Sequence, residues 1–182
     1  NRPCTTSITG CTNEGKVESI AKGNHTYTAG ICIIYNGSNG STYADELIIN
    51  NCVNNGEIEG DTVAGIIGNS SGNLKLSDCE NNGAINGRYS AGGIAQCIEN
   101  KNSNEAEVSN CINNGNVFGG EEAAGIIDYA EGITVTNCIN NGNISSNGYV
   151  GGIFSYTSSV KGTGLVNNGK ISGLEDIGGI SA

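Results

Sequence analysis

Residues 79–94 read Cys-Glu-Asn-Asn-Gly-Ala-Ile-Asn-Gly-Arg-Tyr-Ser-Ala-Gly-Gly-Ile, and this frame returns along the whole chain. Asn-Asn-Gly, or Asn-Glu-Gly in the first instance, falls at 13–15, 54–56, 81–83, 113–115, 140–142 and 167–169. Its Gly-to-Gly spacings are 41, 27, 32, 27 and 27, so the basic unit is 27 residues. Two residues past each Gly stands Val17, Ile58, Ile85, Val117, Ile144 or Ile171. Further on comes a small-Gly-Ile step, at Gly30-Ile31, Gly65-Ile66, Gly93-Ile94, Gly125-Ile126, Gly152-Ile153 and Gly179-Ile180. Four residues before the Gly stand Cys11, Cys52, Cys79, Cys111 and Cys138, with Leu165 in the sixth place. Self-similarity at such a period marks a repeat architecture.

The apolar residues of each unit are β-branched, their segments are short, and Gly or Asn punctuates them, which is strand and turn chemistry. Glycine is too dense for helices. The pattern predicts an all-β fold, a right-handed parallel β-helix of six coils in a single domain over 1–182, with coils beginning near 8, 49, 76, 108, 135 and 162. Each coil is expected to hold about three strands and three corners, and stacking at ~4.8 Å per coil turns the repeated positions into ladders. A leucine-rich horseshoe is the weaker rival, because its Leu-x-x-Leu-x-Leu frame does not occur.

Asn13, Asn54, Asn81, Asn113, Asn140 and Asn167 fill one corner in all six coils. They are expected to hold left-handed geometry and to bond along the stack as structural glue, with the repeat glycines at positive φ. The five ladder cysteines read as small buried hydrophobes in the reduced state, since Leu165 replaces them in the sixth coil. Cys4, Cys32 and Cys97 lie off the ladder, so a Cys4–Cys11 bridge stays open. With no Cys-x-x-Cys pair and one His in the sequence, no zinc site is expected.

The frame resembles the GLUG-motif repeats and related β-solenoids of bacterial cell-surface proteins, in which Asn-x-Gly-x-Val/Ile-x-Gly precedes a Gly-Leu/Ile-x-Gly step. Asn81-Asn82-Gly83-Ala84-Ile85-Asn86-Gly87 keeps the first half. The second half is looser: only Gly65-Ile66-Ile67-Gly68 has the closing Gly, and the other coils place Ile33, Gln96, Asp128 or Ser155 there. The resemblance implies an extracellular, surface-associated solenoid, adhesive or a spacer within a larger protein, and transfers no catalytic residue.

Composition narrows the partners. Eighteen acidic against 8 basic residues give a net charge of −10, which repels phosphate backbones and anionic lipid, so nucleic acid is not an expected partner. The longest apolar stretch, near Ala29–Tyr35, is far short of a membrane span. Thirty glycines, about one residue in six, exclude collagen. The chain opens at Asn1 without Met or a visible signal peptide and reads as a processed or excised product whose targeting segment is absent.

Asn24, Asn36, Asn39, Asn69 and Asn143 each begin an N-glycan acceptor tripeptide, relevant only in a eukaryotic source. Two inserts, 35–46 and 98–106, follow the Gly-Ile strand and project from the same corner, where they could form a binding lip. Register puts Glu18 beside Glu59, Glu57 beside Lys16, and Asp61 beside Arg88; the last two pairs read as surface salt bridges. Glu18 and Glu59 are the one candidate glycosidase dyad, and His25 reads as a solvated loop residue. No cofactor is expected, beyond a weak surface Ca2+ that Glu121, Glu122, Asp128 and Glu131 could hold. Tyr129 and Tyr156 should stack.

The function expected is therefore a non-enzymatic, extracellular rod segment or head-to-tail filament subunit. The alternative is a carbohydrate-active β-helix, a polysaccharide lyase or glycoside hydrolase. From Gly179 round to Cys11 of a following copy the count would be 14 residues against 13 inside the chain, so coils of a second copy could continue the stack. Expected partners are that second copy or flanking solenoid coils, with a surface glycan or protein as possible ligand.

Overall fold

The 27-residue repeat hands each strand to its equivalent in the next coil, and among the described residues the strand pairs are parallel, with equivalent positions of the repeat side by side. The computed structural model describes residues 5–21, 26–33, 46–100 and 106–182. The calls on Cys4, Lys22, Asn24, His25, Asn36 and Asn39, and most of both inserts, lie outside the described residues.

Four parallel sheets run along the stack, making the chain an all-β parallel β-helix. The first takes Thr5–Thr9, Glu46–Asn50, Asn73–Ser77, Ala106–Ser109, Ile133–Thr136 and Lys161–Thr163. The second is a ladder of two-residue strands that starts at Thr12–Asn13 and ends at Val166–Asn167. The third is widest at Ile58–Ala64 and Ile85–Gly92, where a bulge lies between Gly87 and Ser90. The fourth takes Ile67–Ser71, Ala95–Glu99, Ile127–Glu131 and Phe154–Ser158, and the bridges Cys32 to Ile67 and Phe154 to Ser181 carry it into the end coils. Three strands per coil was thus one too few. After the Gly-Ile step the chain stays extended and turns back only at Gly72, Gly132 or Ser159, all at positive φ.

The left-handed corner also lies elsewhere than expected. Asn54 and its equivalents are strand residues, and none of the repeat glycines has positive φ. Besides Gly72, Gly132 and Ser159, the positive-φ residues are Gly10, Asn51, Asp78, Asn110, Asn137 and Gly164, each immediately before the ladder Cys or Leu165. Only Gly, Asn and Asp occur at that position, the residues that tolerate this backbone.

The apolar rungs form two columns. Ile58, Ile85, Val117 and Ile144 pack with Val63, Ala91, Ala123 and Val150 in the smaller one. Ile66, Ile94, Ile126 and Ile153 join the Cys column and the inward residues of the first and fourth sheets in the larger. The ladder asparagines Asn54, Asn81, Asn113 and Asn140 are fully buried. They press against the glycine of the Gly-Ile step: a Cβ on Gly93 would lie 2.6 Å from Asn113 Cγ and collide with the Gly125 carbonyl. The same clash occurs at Gly30, Gly65, Gly125 and Gly152, which explains why that step is Gly in the first five coils. Gly93→Ala should therefore destabilise by roughly 3 kcal/mol or more, read as a shift in the urea midpoint; a loss under about 1 kcal/mol would show that the corner can yield.

Candidate functional site

The ladder that the repeat encodes is a continuous amide chain. Nδ2 of Asn13, Asn54, Asn81, Asn113 and Asn140 each donates at 2.7 Å to Oδ1 of the next coil's Asn. The second amide proton goes to the Gly oxygen two residues on, from Asn13 to Gly15 at 2.8 Å through Asn167 to Gly169 at 3.0 Å. A second ladder, not foreseen, runs beside it on the surface: Asn82, Asn114, Asn141 and Asn168 donate to Asn55, Asn82, Asn114 and Asn141 at 2.8–2.9 Å. Its bonds point the opposite way along the axis, and it ends at Glu14, which accepts from Asn55 Nδ2. The signal for it was the second Asn of each Asn-Asn-Gly.

The thiol column lies next to this ladder. Cys52, Cys79, Cys111 and Cys138 are buried, Cys11 in the end coil is exposed, and all five are unbridged, as are Cys32 and Cys97. Cys79, Cys111 and Cys138 each donate to the carbonyl two residues back, at 3.1–3.4 Å. Hydrogen bonding to the Cys138 and Cys79 thiols, together with burial, pushes the Cys111 thiol well up. Burial pushes Cys32 up to about 11. Cys111 and Cys32 are therefore poor nucleophiles, whereas the hydrogen bond with Cys111 holds the Cys79 and Cys138 thiols below their usual range.

The acidic candidates behave differently from the reading by register alone. Glu18 and Glu59 are in register, but Lys16 sits on both, at 2.7 Å from Glu59 and 3.6 Å from Glu18. Glu57, expected on Lys16, instead accepts from Asn86 Nδ2 at 2.9 Å. The hydrogen bond from Lys16 holds the Glu59 carboxyl below its usual range. That is the opposite of what a general acid in a glycosidase needs. Asp61 is not a surface residue: it is buried, paired to Arg88 Nε, while Arg88 Nη2 reaches the first coil's Ala21 oxygen at 2.8 Å and Ser19 oxygen at 3.3 Å. Arg88 so staples three coils.

Asp128 also points inward, away from the loose acidic cluster expected around it. Among the described residues no group of three or more His, Cys, Asp or Glu gathers to hold a metal ion. Asp128 is fully buried and accepts from Gln96 Nε2 at 3.1 Å, which also donates to Ser90 Oγ at 3.2 Å. Ser155 Oγ contacts both the Asp128 backbone oxygen, at 2.7 Å, and its Oδ1. One hydroxyl proton serves only one of these acceptors; a proton on Oδ1, donated to Ser155 Oγ, satisfies the other. Burial accordingly pushes the Asp128 carboxyl up to about 7, with the Glu122 charge adding to it and the bonds from Ser155, Gln96 and Ser90 opposing. Burial raises Glu122 as well. The sequence signal was present: Gln96, Asp128 and Ser155 replace the closing Gly of the repeat, in successive coils.

Tyr129 and Tyr156 stack with ring centroids 4.9 Å apart and an interplanar angle of 7°. Tyr129 Oη donates to Glu131 at 3.0 Å, and burial, followed by that bond, pushes its hydroxyl up to about 12. Asn143 Oδ1 accepts from Lys170 N at 3.0 Å, and Asn69 lies in a strand of the fourth sheet, in register with Cys97. Compared with known proteins, the chain matches no family model, no curated protein and no solved structure. The functional reading accordingly rests on residues and geometry.

Proposed function

We propose that the chain is a rigid rod segment of an extracellular, surface-associated solenoid, working structurally or adhesively rather than as a catalyst. The observation that carries this reading is the pair of amide ladders, which tie all six coils along the axis. The inner ladder's buried, paired amides favour one register and resist bending, which is what a rod requires. At ~4.8 Å per coil the described stack is roughly 30 Å long.

The end coils support a second part of the reading. In the sixth coil Ile180 and Ile177 are exposed, although Ile153 and Val150, their equivalents one coil in, are buried. In the first coil Asn13 Oδ1 accepts only from Gly15 N, at 3.3 Å, where each later Asn accepts from its neighbour's amide. These two faces are complementary: one offers amide protons, the other an amide oxygen. Further coils cover them, either flanking coils of the same polypeptide or the opposite face of a second copy.

Negative-stain electron microscopy across a concentration series, with and without residues 1–10, tests the second-copy form. Fibres that disappear on the deletion are its expected result, and short single rods at every concentration assign the covering role to flanking coils. Incubation with acidic polysaccharides tests the non-enzymatic reading, and no reducing ends or unsaturated sugars should appear. Their release by the intact chain but not by Glu59→Gln would replace this reading with a carbohydrate-active one.

A further inference from the structure

Phenylalanine occurs twice in the chain. Phe154 is buried in the core, whereas Phe118 is 41 % exposed on the outer face of the third sheet. Its row through the coils is Glu18, Glu59, Asn86, Phe118, Ser145 and Ser172, so the large apolar ring stands where every other coil carries a polar side chain. Burial does not explain it, and neither does stacking. Tyr129 and Tyr156 are in-register neighbours that cover one another's ring faces, but Phe118 has the short side chains of Asn86 and Ser145 on either side.

Beside Phe118 runs the row Asn116, Asn143, Lys170. Asn116 Oδ1 accepts from Asn143 N, and Asn143 Oδ1 accepts from Lys170 N, both at 3.0 Å. Each carboxamide is thus pinned by its oxygen, which leaves its NH2 group as a fixed donor. The two donors are one coil apart, ~4.8 Å. Together these rows line a shallow groove of about 320 Å³. In a chain of net charge −10, this groove holds a lysine and no carboxylate among its lining residues.

We infer that this groove binds an extended, β-linked glycan chain laid along the solenoid axis. A pyranose presents a C–H face to an aromatic ring and hydroxyls at its edges. Phe118 supplies the ring, Asn116 and Asn143 the donors, and Ser145 and Ser172 hydroxyls that both donate and accept. The coil repeat is close to the advance of one sugar in a β-1,4-linked chain, so successive sugars meet successive coils. Lys170 pairs with a carboxylate when the sugar is a uronate. The site does not depend on whether the end faces of the rod are covered by a second copy.

Isothermal titration against cello-oligosaccharide and against β-1,4-mannuronate oligosaccharide tests the inference and separates its two sources. Binding of at least one probe is expected, weakened about tenfold or more by Phe118→Ala. Tyr156→Ala, on the fourth sheet, should leave it unchanged. Lys170→Gln should weaken only the mannuronate arm. Because Phe118 is on the surface, Phe118→Ala should keep the wild-type melting temperature, so a loss of binding reads on the groove. No binding of either probe at millimolar concentration, or equal binding by Phe118→Ala, overturns the site. A Phe118-dependent association found only with a peptide strand would also overturn it and reassign the face to protein.

Discussion

Asn113→Asp should cost about 4 kcal/mol or more, enough to threaten the fold, while Asn141→Asp in the outer ladder should cost about 1 kcal/mol or less. The two substitutions are the same chemical change, one residue-step apart in the motif and one coil apart in the stack. Asn113 is fully buried; it receives the Asn81 amide, and it donates to Gly115 O at 2.8 Å and Asn140 Oδ1 at 2.7 Å. A carboxylate keeps the first bond and loses both donations, setting its oxygens against two acceptors in a fully buried site. Asn141 donates to Asn114 Oδ1 at 2.8 Å on the exposed face, where solvent takes over the lost bond. Urea midpoints of the two variants measure the difference. If they lie within about 1 kcal/mol of each other, the inner ladder is not what holds the coils.

The second large effect concerns pH. Asp128 has a folded pKa of about 7 against a reference value of 3.8. A carboxyl whose pKa rises on folding favours the folded chain only while protonated. Its contribution is therefore intact below pH ~4, falls as pH rises towards 7, and is lost above that; the span corresponds to roughly 4 kcal/mol. The charged groups about it enter the same balance: Glu122 is raised by burial and Glu121 and acts in the same direction. Glu59, lowered by Lys16, acts in the opposite direction, but it is exposed and its share is small. The wild-type chain should accordingly be more stable at pH 5 than at pH 8. Asp128→Asn should remove most of that slope, since an amide keeps the neutral form at every pH. An unchanged slope in this variant would mean that Asp128 is not the group responsible.

Both effects were partly legible in the sequence. The 27-residue period, the β-branched position after the Gly and the invariant Asn specify the coil and its register, because a parallel stack must superpose equivalent residues. The same period predicts the in-register pairs Glu18 with Glu59 and Tyr129 with Tyr156, which the structure contains. The left-handed corner could also have been found, since Gly10, Asn51, Asp78, Asn110, Asn137 and Gly164 form a column of permissive residues ahead of the cysteines.

Register, however, gives the height of a residue on the stack and not the side of the wall on which its side chain lies. Whether Asn54 turns inward or outward is decided by the glycine opposite it, which leaves room for a carboxamide between the two apolar columns. Lys16 reaches Glu59 rather than Glu57 because a long side chain bonds diagonally across strands. Asp61 and Asp128 became interior groups only when the wall closed around them, and Phe118 became a surface ring because its row faces solvent. The sequence by itself determined the repeat, the parallel stack and the residues that fall in line along it. It also marked the cysteine line as buried, whereas tertiary structure alone decided that the Asn54 line, Asp61 and Asp128 are buried as well. The physical reason is that burial depends on how the four walls fold back on one another, which the spacing of residues along the chain does not fix.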